Sequence, residues 1–500
     1  MSQKSIDSVV RTAILAALLC LPDMAAAGGI QRVAVRGAPS GTAVISAVPD
    51  FRRAAVRIPK SFLGISVEYG GSLDVLFGKS RLAITARLLN GLGRLQGSPV
   101  LRIGGNSEDS AVWNLPALHP RPAGDTINLT SRVAKMLRAA AVRTGGKLIL
   151  GVNFGRGTST MAKAWISAAI RDIGARHILA FEIGNEPDLY NHNDMRPHSY
   201  TVRDYFRQWN AFADKIQSHL PQRRMLAGPA FCASWRKYTT DFIKQQHSRL
   251  SVVTMHEYPL GAPIKNRHSP RYASVDNLLK NSSSAIFAKL IRAVVPVGRG
   301  YEIPVRFAEI NSAYGGGKTG VSNVFAASLW SLDTLFEVAA SGSAGVNFHT
   351  GPRYGAFWSF HRKGIRVLPV YYGMLMFAQA APAGSRLIPI SLHTKANINA
   401  WMTLDQHGVA RVVLINKELH HEVMVKLKLP SSQKGQLERL TGISIFSQKR
   451  ISIGGQTFDD SQNGMLKGHR QVTVVPAKHS IFAITLKHAS AALMTVRLNR

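Results

Sequence analysis

Two glutamates stand where an apolar run gives out. Glu186 follows Ile178-Leu-Ala-Phe-Glu-Ile-Gly-Asn185, and Glu309 closes Pro304-Val-Arg-Phe-Ala308. A carboxylate at the tip of a buried strand is costly unless it is paired or used. Two of them, far apart in sequence, are the side chains that an acid and a nucleophile need to break a glycosidic bond. Asn185 directly precedes Glu186, and its amide suits a sugar hydroxyl.

Such a pair needs a frame that brings distant strand ends together. Eight short apolar runs supply one: Phe62–Val67, Val100–Ile103, Lys147–Val152, Ile178–Ile183, Met225–Gly228, Val252–Met255, Pro304–Ala308 and Gly345–Phe348. Helical patterns separate them, among them Leu129–Ala141, Met161–Asp172 and Ser322–Ala340. Alternating strand and helix implies parallel strands, and eight repeats imply a closed (β/α)8 barrel over residues 58–382. Polar residues gather at the C-terminal strand ends, the face where such barrels carry chemistry. Glu186 then follows strand four and Glu309 strand seven. Across the mouth their carboxyl groups are expected roughly 5–5.5 Å apart, the spacing of a retaining double displacement.

The texture changes at residue 383. Short valine- and threonine-rich runs split by turns read as an antiparallel β-sandwich over 383–488. Residues 28–57 are expected to add strands to it, at Arg32–Val35 and Thr42–Ile45, and residues 489–500 to form a frayed tail. Residues 1–27 read as a cleavable export signal. Lys4 and Arg11 precede or open the apolar run Thr12–Leu21, and Ala25-Ala-Ala27 supplies the cleavage site. A secreted or periplasmic chain is expected. Its one remaining cysteine, Cys232, excludes an internal disulfide. No later stretch is apolar enough to span a membrane. The formal charge of +34 favours an acidic partner such as an acidic polysaccharide. No helix-turn-helix, zinc-finger, metal-ligand or phosphate-loop spacing occurs. No nucleic acid, metal or cofactor is therefore expected.

Closer motifs carry a resemblance. Phe307-Ala-Glu-Ile-Asn-Ser-Ala-Tyr-Gly-Gly-Gly317 is similar to the nucleophile segment of family 79 glycoside hydrolases, the β-glucuronidase and heparanase family. Leu101-Arg-Ile-Gly-Gly-Asn106, Gly184-Asn-Glu-Pro187, His256-Glu-Tyr258 and Ile451-Ser-Ile-Gly-Gly-Gln-Thr-Phe458 resemble further segments in the same order. The resemblance implies Glu186 as acid/base and Glu309 as nucleophile. It implies Tyr314, Gly315 and Gly316 as the grip on a uronate carboxylate, and Glu68 and Asn106 as contacts to sugar hydroxyls. Asn185 is expected on the 2-hydroxyl, Tyr258 on Glu309, and His256 in the site wall. A glucuronide or another uronic-acid glycan is the substrate so implied.

One position departs from that pattern. The family's human-type enzyme has a tyrosine near the end of strand eight that helps bind the uronate, whereas this chain has Asn347-Phe348-His349. Phe348 has no donor, which leaves Tyr354 or His349 to complete the pocket. Basic loops flank the expected mouth: Lys265, Arg267, His268 and Arg271 after strand six, and Arg353, Arg362, Lys363 and Arg366 after strand eight. The latter group is interleaved with Tyr354, Phe357 and Trp358. An endo-acting hydrolase of acidic glycosaminoglycans, a neutral-sugar glycosidase, and a carbohydrate-binding protein on an inactive barrel remain the alternatives.

Overall fold

In the computed structural model, which describes residues 43–53, 55–114, 126–360 and 364–499, eight parallel strands close into a barrel. They are Leu63–Glu68, Val100–Gly104, Lys147–Val152, Ile178–Ile183, Leu226–Phe231, Leu250–Glu257, Val305–Ile310 and Gly345–His349. The eighth pairs back onto the first, with Phe348 opposite Ile65. The strands are apolar on both faces because both are covered. Leu101 and Ile103 belong to the main core that includes the outer helices, while Val100, Ile149, Ala180, Ala227 and Val252 form a separate small apolar cluster contributed by strands two to six. Arg306 lies buried beside the chain entering strands one and eight. It donates to the carbonyls of Ser61, Phe62, Ala344 and Val346 and to Asn347 Oδ1. Among the described residues no carboxylate pairs with it, and burial pushes its pKa down to about 9.

The second unit is a two-sheet sandwich. Ile390–Leu392, Ala43–Pro49, Val423–Lys428 and Ile481–Leu486 form one sheet in that order. The other runs from Val56–Arg57 through Arg386–Ile388, Ile398–Leu404, Val409–Asn416, Ser490–Arg497 and Gly435–Thr441 to Ser452–Ile453. Two expectations need correction. The sandwich is not wholly antiparallel, because Ala43–Pro49 pairs parallel with Val423–Lys428. The whole barrel intervenes between those strands, ample chain for a parallel crossover. Nor do residues 489–500 form a frayed tail. Ser490–Arg497 is a mostly buried strand paired on both sides, with Val409–Asn416 and Gly435–Thr441. The expected signal at 1–27 and the strand at Arg32–Val35 lie outside the described residues. Among the described residues, no helix is long and apolar enough to cross a membrane.

Helix Phe325–Ala340 sits between the two units and is buried on nearly every face. Phe336 stacks on Trp401 of the sandwich, centroids 5.5 Å apart. One turn earlier, fully buried Asp333 accepts hydrogen bonds from Ser284 Oγ, Asn399 Nδ2, Trp401 Nε1 and Lys417 Nζ, the last at 2.8 Å. Burial pushes this carboxyl up, but Lys417 and the other donors outweigh it and hold it below its ordinary value. A depressed acid stabilises the fold above its unfolded pKa of about 4, and that contribution is lost as pH falls below it. Lys417→Met leaves Asp333 buried and uncompensated. It should cost about 3–5 kcal/mol in chemical denaturation at neutral pH, and the deficit relative to wild type should shrink under acid conditions.

Candidate active site

The site grows from one strand residue. Arg102 points into the barrel from strand two and is fully buried. Its Nε donates to Glu182 Oε2 at 2.7 Å. Nη1 donates to Glu309 Oε2 at 2.6 Å and to Ser66 Oγ at 3.3 Å. Nη2 reaches Asn185 Oδ1 at 2.9 Å and Glu108 Oε2 at 3.2 Å. All five guanidinium hydrogens are thereby engaged. Burial alone would lower its pKa, but Glu182, Glu108 and Glu309 raise it. Close approach of backbone makes room for Glu108: a Cβ on Gly104 or Gly151 would fall 2.1 or 2.2 Å from its Oε2. Burial pushes the Glu108 carboxyl well up; Arg102 opposes the rise, while Glu182, Asp109 and Glu68 add to it.

Glu309 is the penultimate residue of strand seven rather than the first beyond it. Phe307 packs edge-on against Phe287 of helix Asn281–Ile291, toward the outer layer. Strict alternation would send residue 309 the same way. The pairing with strands six and eight is irregular between Phe307 and Ile310, and this turns Glu309 inward. There Tyr258 Oη donates to its Oε1 at 2.6 Å, and His349 Nδ1 lies 3.4 Å from Oε2. Burial raises this carboxyl, yet the charges of His349, His256 and Arg102 and the Tyr258 hydrogen bond hold it down to about 2. Burial and Glu309 raise the Tyr258 hydroxyl well above its ordinary value, so it keeps its proton to donate.

Glu186 stands three residues beyond strand four, before the short 3-10 turn Pro187–Leu189. Its backbone is left-handed, φ 50° and ψ 52°, an uncommon and strained state for a residue with a Cβ. Neighbours hold it there. Asp188 accepts from the Cys232 and Ala233 amides, and Asp109 from the Asn185 amide and Tyr190 Oη. His256 Nδ1 lies 3.0 Å from Glu186 Oε1. A carboxylate oxygen of Glu186 and one of Glu309 lie within 4.8 Å of each other, with a His256 nitrogen equally close.

The other expected residues surround this pair unevenly. Asn185 is buried between Arg102 and Asn106, its Nδ2 donating to Asn106 Oδ1 at 3.0 Å. Glu68 accepts from the Asn106 and Ser107 amides and from Ser107 Oγ, and His349 Nε2 lies 3.5 Å away. Tyr314 is half-buried, and Gly315, Gly316 and Gly317 follow it with φ of 78°, 81° and 75°. That unbroken left-handed run needs glycine. Asn311 Nδ2 ties the segment to the next loop by donating to the carbonyls of His349 and Tyr354.

Phe348 faces away from the site, edge-on to Trp330. His349 and Tyr354 are both buried there, their rings 5.9 Å apart. Of the basic loops, Lys265, Arg267, His268, Arg271 and Arg353 are exposed. Arg366 instead donates to the Gln448 carbonyl of the sandwich, and Phe357 is buried on Tyr371. Arg362 and Lys363 lie outside the described residues. Arg102, Glu108 and Glu182 are members of the site that the sequence reading passed over. For Arg102 and Glu182 the signal was present: a charged residue inside an apolar run is costly unless paired.

A (β/α)8 barrel with two glutamates facing one pocket at its C-terminal mouth is the architecture of barrel glycoside hydrolases. The chain belongs to glycoside hydrolase family 79. Residues 137–336 match that family's N-terminal domain and residues 400–493 its C-terminal β domain, together more than half of the chain. It is 24% identical over 418 residues to a β-glucuronidase of Neurospora crassa, covering 72% of each chain. It is 25% identical to one of Aspergillus niger, covering 76% of this chain and 75% of that one. Its fold is similar to that of a 4-O-α-L-rhamnosyl-β-D-glucuronidase from Fusarium oxysporum, with a TM-score of 0.76, 20% identity, and coverage of 91% of this chain and 100% of that one. A family 51 arabinofuranosidase from Xanthomonas axonopodis pv. citri gives a TM-score of 0.67 at 12% identity, over 90% of this chain and 99% of the other.

The Tyr258–Glu309 hydrogen bond generates a pH prediction. Tyr258→Phe removes a donor to the ionised carboxylate, so the pKa of Glu309 rises. The acid limb of kcat/KM, which follows the free enzyme, should move upward by roughly one pH unit. A pH–rate profile with an unmoved acid limb would count against this coupling.

Proposed function

We propose that the chain is a retaining β-glucuronidase in which Glu309 is the nucleophile and Glu186 the acid/base. One observation carries the assignment of roles: the two carboxylates lie within 4.8 Å of each other and are held by different partners. Glu309 is buried and held ionised by Arg102 and Tyr258. Glu186, with a side chain 15% exposed against 10% for Glu309, stands beyond the strand end with His256 beside it. In the first displacement Glu309 attacks the anomeric carbon while Glu186 protonates the departing oxygen. In the second, Glu186 takes a proton from water, and that water cleaves the glycosyl ester. The uronate carboxylate is met by the Tyr314 hydroxyl and the amides of the glycine run, with His349 and Tyr354 completing the pocket in place of Phe348. The relatives' activity on β-glucuronides supports the substrate class. Export with removal of about the first 27 residues is part of the same reading.

Release of the aryl alcohol from a 4-nitrophenyl β-D-glucuronide tests the activity, and parallel incubation with heparan sulfate separates exo from endo action by whether the polymer shortens. Glu309→Gln should lower kcat on the order of 10⁴-fold or more, because an amide cannot form the glycosyl ester. Glu186→Ala should lose roughly 10²–10⁴-fold on substrates with poor leaving groups and much less on activated aryl glucuronides. Azide should restore its deglycosylation. Leaving-group dependence equal to that of the wild type would remove Glu186 from the acid/base role.

A further inference from the structure

Arg271, in the loop after strand six, has no part in the reading above. Its guanidinium lies over the ring of Tyr314, 5.5 Å from the centroid. Its Nη2 donates to the Tyr258 carbonyl at 2.7 Å, and its own carbonyl accepts from the Gly261 amide at 2.9 Å. Gly261 in turn pairs with Tyr314 through the short strands Leu260–Gly261 and Ala313–Tyr314. Arg271 therefore touches both tyrosines of the site, the one that holds Glu309 and the one that opens the glycine run. Half of its side chain (48%) remains exposed.

The charges around it leave its own largely unspent. The acid beside it, Glu257, lies 3.7 Å from Nη2 and is already bound by Arg236. Among the described residues, its Nε and Nη1 meet no hydrogen-bond acceptor. Arg353 donates to the Gly316 carbonyl, and Lys318 lies over the Tyr272 ring at 4.1 Å, so the same wall carries further cations.

A glycine amide and a tyrosine hydroxyl are neutral donors. They can bind a carboxylate, but they can also bind the hydroxymethyl group of a neutral hexose. A fixed positive charge widens the gap between the two, because it attracts the ionised carboxylate and gains little from a hydroxymethyl group. A guanidinium stacked on an aromatic ring supplies such a charge in a set orientation. We propose that Arg271 is a specificity-determining residue whose charge, seated on Tyr314, selects a hexuronide over the corresponding neutral hexoside. This rests on the glucuronidase reading and names the group that enforces it.

The test uses the full chain as wild type, Arg271→Gln and Arg271→Lys, with 4-nitrophenyl β-D-glucuronide and 4-nitrophenyl β-D-glucoside. In Arg271→Gln, kcat/KM for the glucuronide should fall roughly 10- to 100-fold, mostly through KM. The glucoside rate should change little. Arg271→Lys, which keeps the charge but not the planar fork, should recover part of the preference. Added salt should raise the glucuronide KM of the wild type and leave that of Arg271→Gln nearly level. Equal losses on both substrates would overturn the proposal, since Arg271 would then only hold the two tyrosines in place. No loss on either would overturn it as well. A wild type that cleaves the glucoside but not the glucuronide would remove the glucuronidase reading and this proposal together. Should Arg271→Gln fail to fold, the lysine variant decides: a preference lost along with the fork but with the charge retained would refute selection by charge.

Discussion

Three carboxylates converge on one guanidinium inside the barrel, and the geometry of the mouth follows from how that cluster is neutralised. Arg102 offers a single positive charge to Glu108, Glu182 and Glu309. Three buried negative charges around it would be prohibitively costly. Burial raises the Glu108 carboxyl, which eases that cost, while Glu182 and Glu309 approach the guanidinium most closely, each at 2.6 Å. Ser66 from strand one and Asn185 beyond strand four complete the same hydrogen-bond set. One side chain thus ties strands one, two, four and seven at the level of the pocket. A lysine could not replace it, because three donors on a point charge cannot reach these five groups.

The two glutamates facing the pocket differ because their backbones differ. Glu309 lies within a barrel strand, turned inward by an irregular register, and inherits the strand's rigidity and burial. Glu186 sits on a strained left-handed residue beyond a strand end, fixed by Asp109 and Asp188 gripping the amides around it. One carboxylate is held by Arg102, Tyr258 and His349; the other has His256 beside it. That asymmetry gives two chemically identical side chains different surroundings, as an acid and a nucleophile require.

Much of this was legible in the sequence, and the failures have physical causes. Seven of the eight apolar runs lie within one residue of a barrel strand at their start, because strands covered on both faces must be apolar. Glu186 and Glu309 were found because a carboxylate at a run's end demands a reason. Arg102 and Glu182 sit inside their runs, where the surrounding apolar residues masked the same argument. Phe348 and His349 were separated only by which way each faces, a parity the sequence leaves open near a strand end. Strand Ser490–Arg497 was missed because it shows no alternation. Ala491 and Leu493 pack toward the barrel, whereas Ala492, Met494 and Val496 face the sandwich core, so both faces are apolar.

The position of that strand sets an order of events during synthesis. Val409–Asn416 and Gly435–Thr441 do not pair with each other; each pairs with Ser490–Arg497, which emerges after both. The opposite sheet likewise waits for Ile481–Leu486 to cover Val423–Lys428, on which Ala43–Pro49 is already seated from the other side. The barrel strands, by contrast, are all complete by His349. A nascent chain can therefore close its barrel while the sandwich is still two half-sheets with exposed edges. The face of the buried helix Phe325–Ala340 that meets Trp401 stays uncovered until the sandwich folds onto it, and that interval is when the chain is most open to a chaperone.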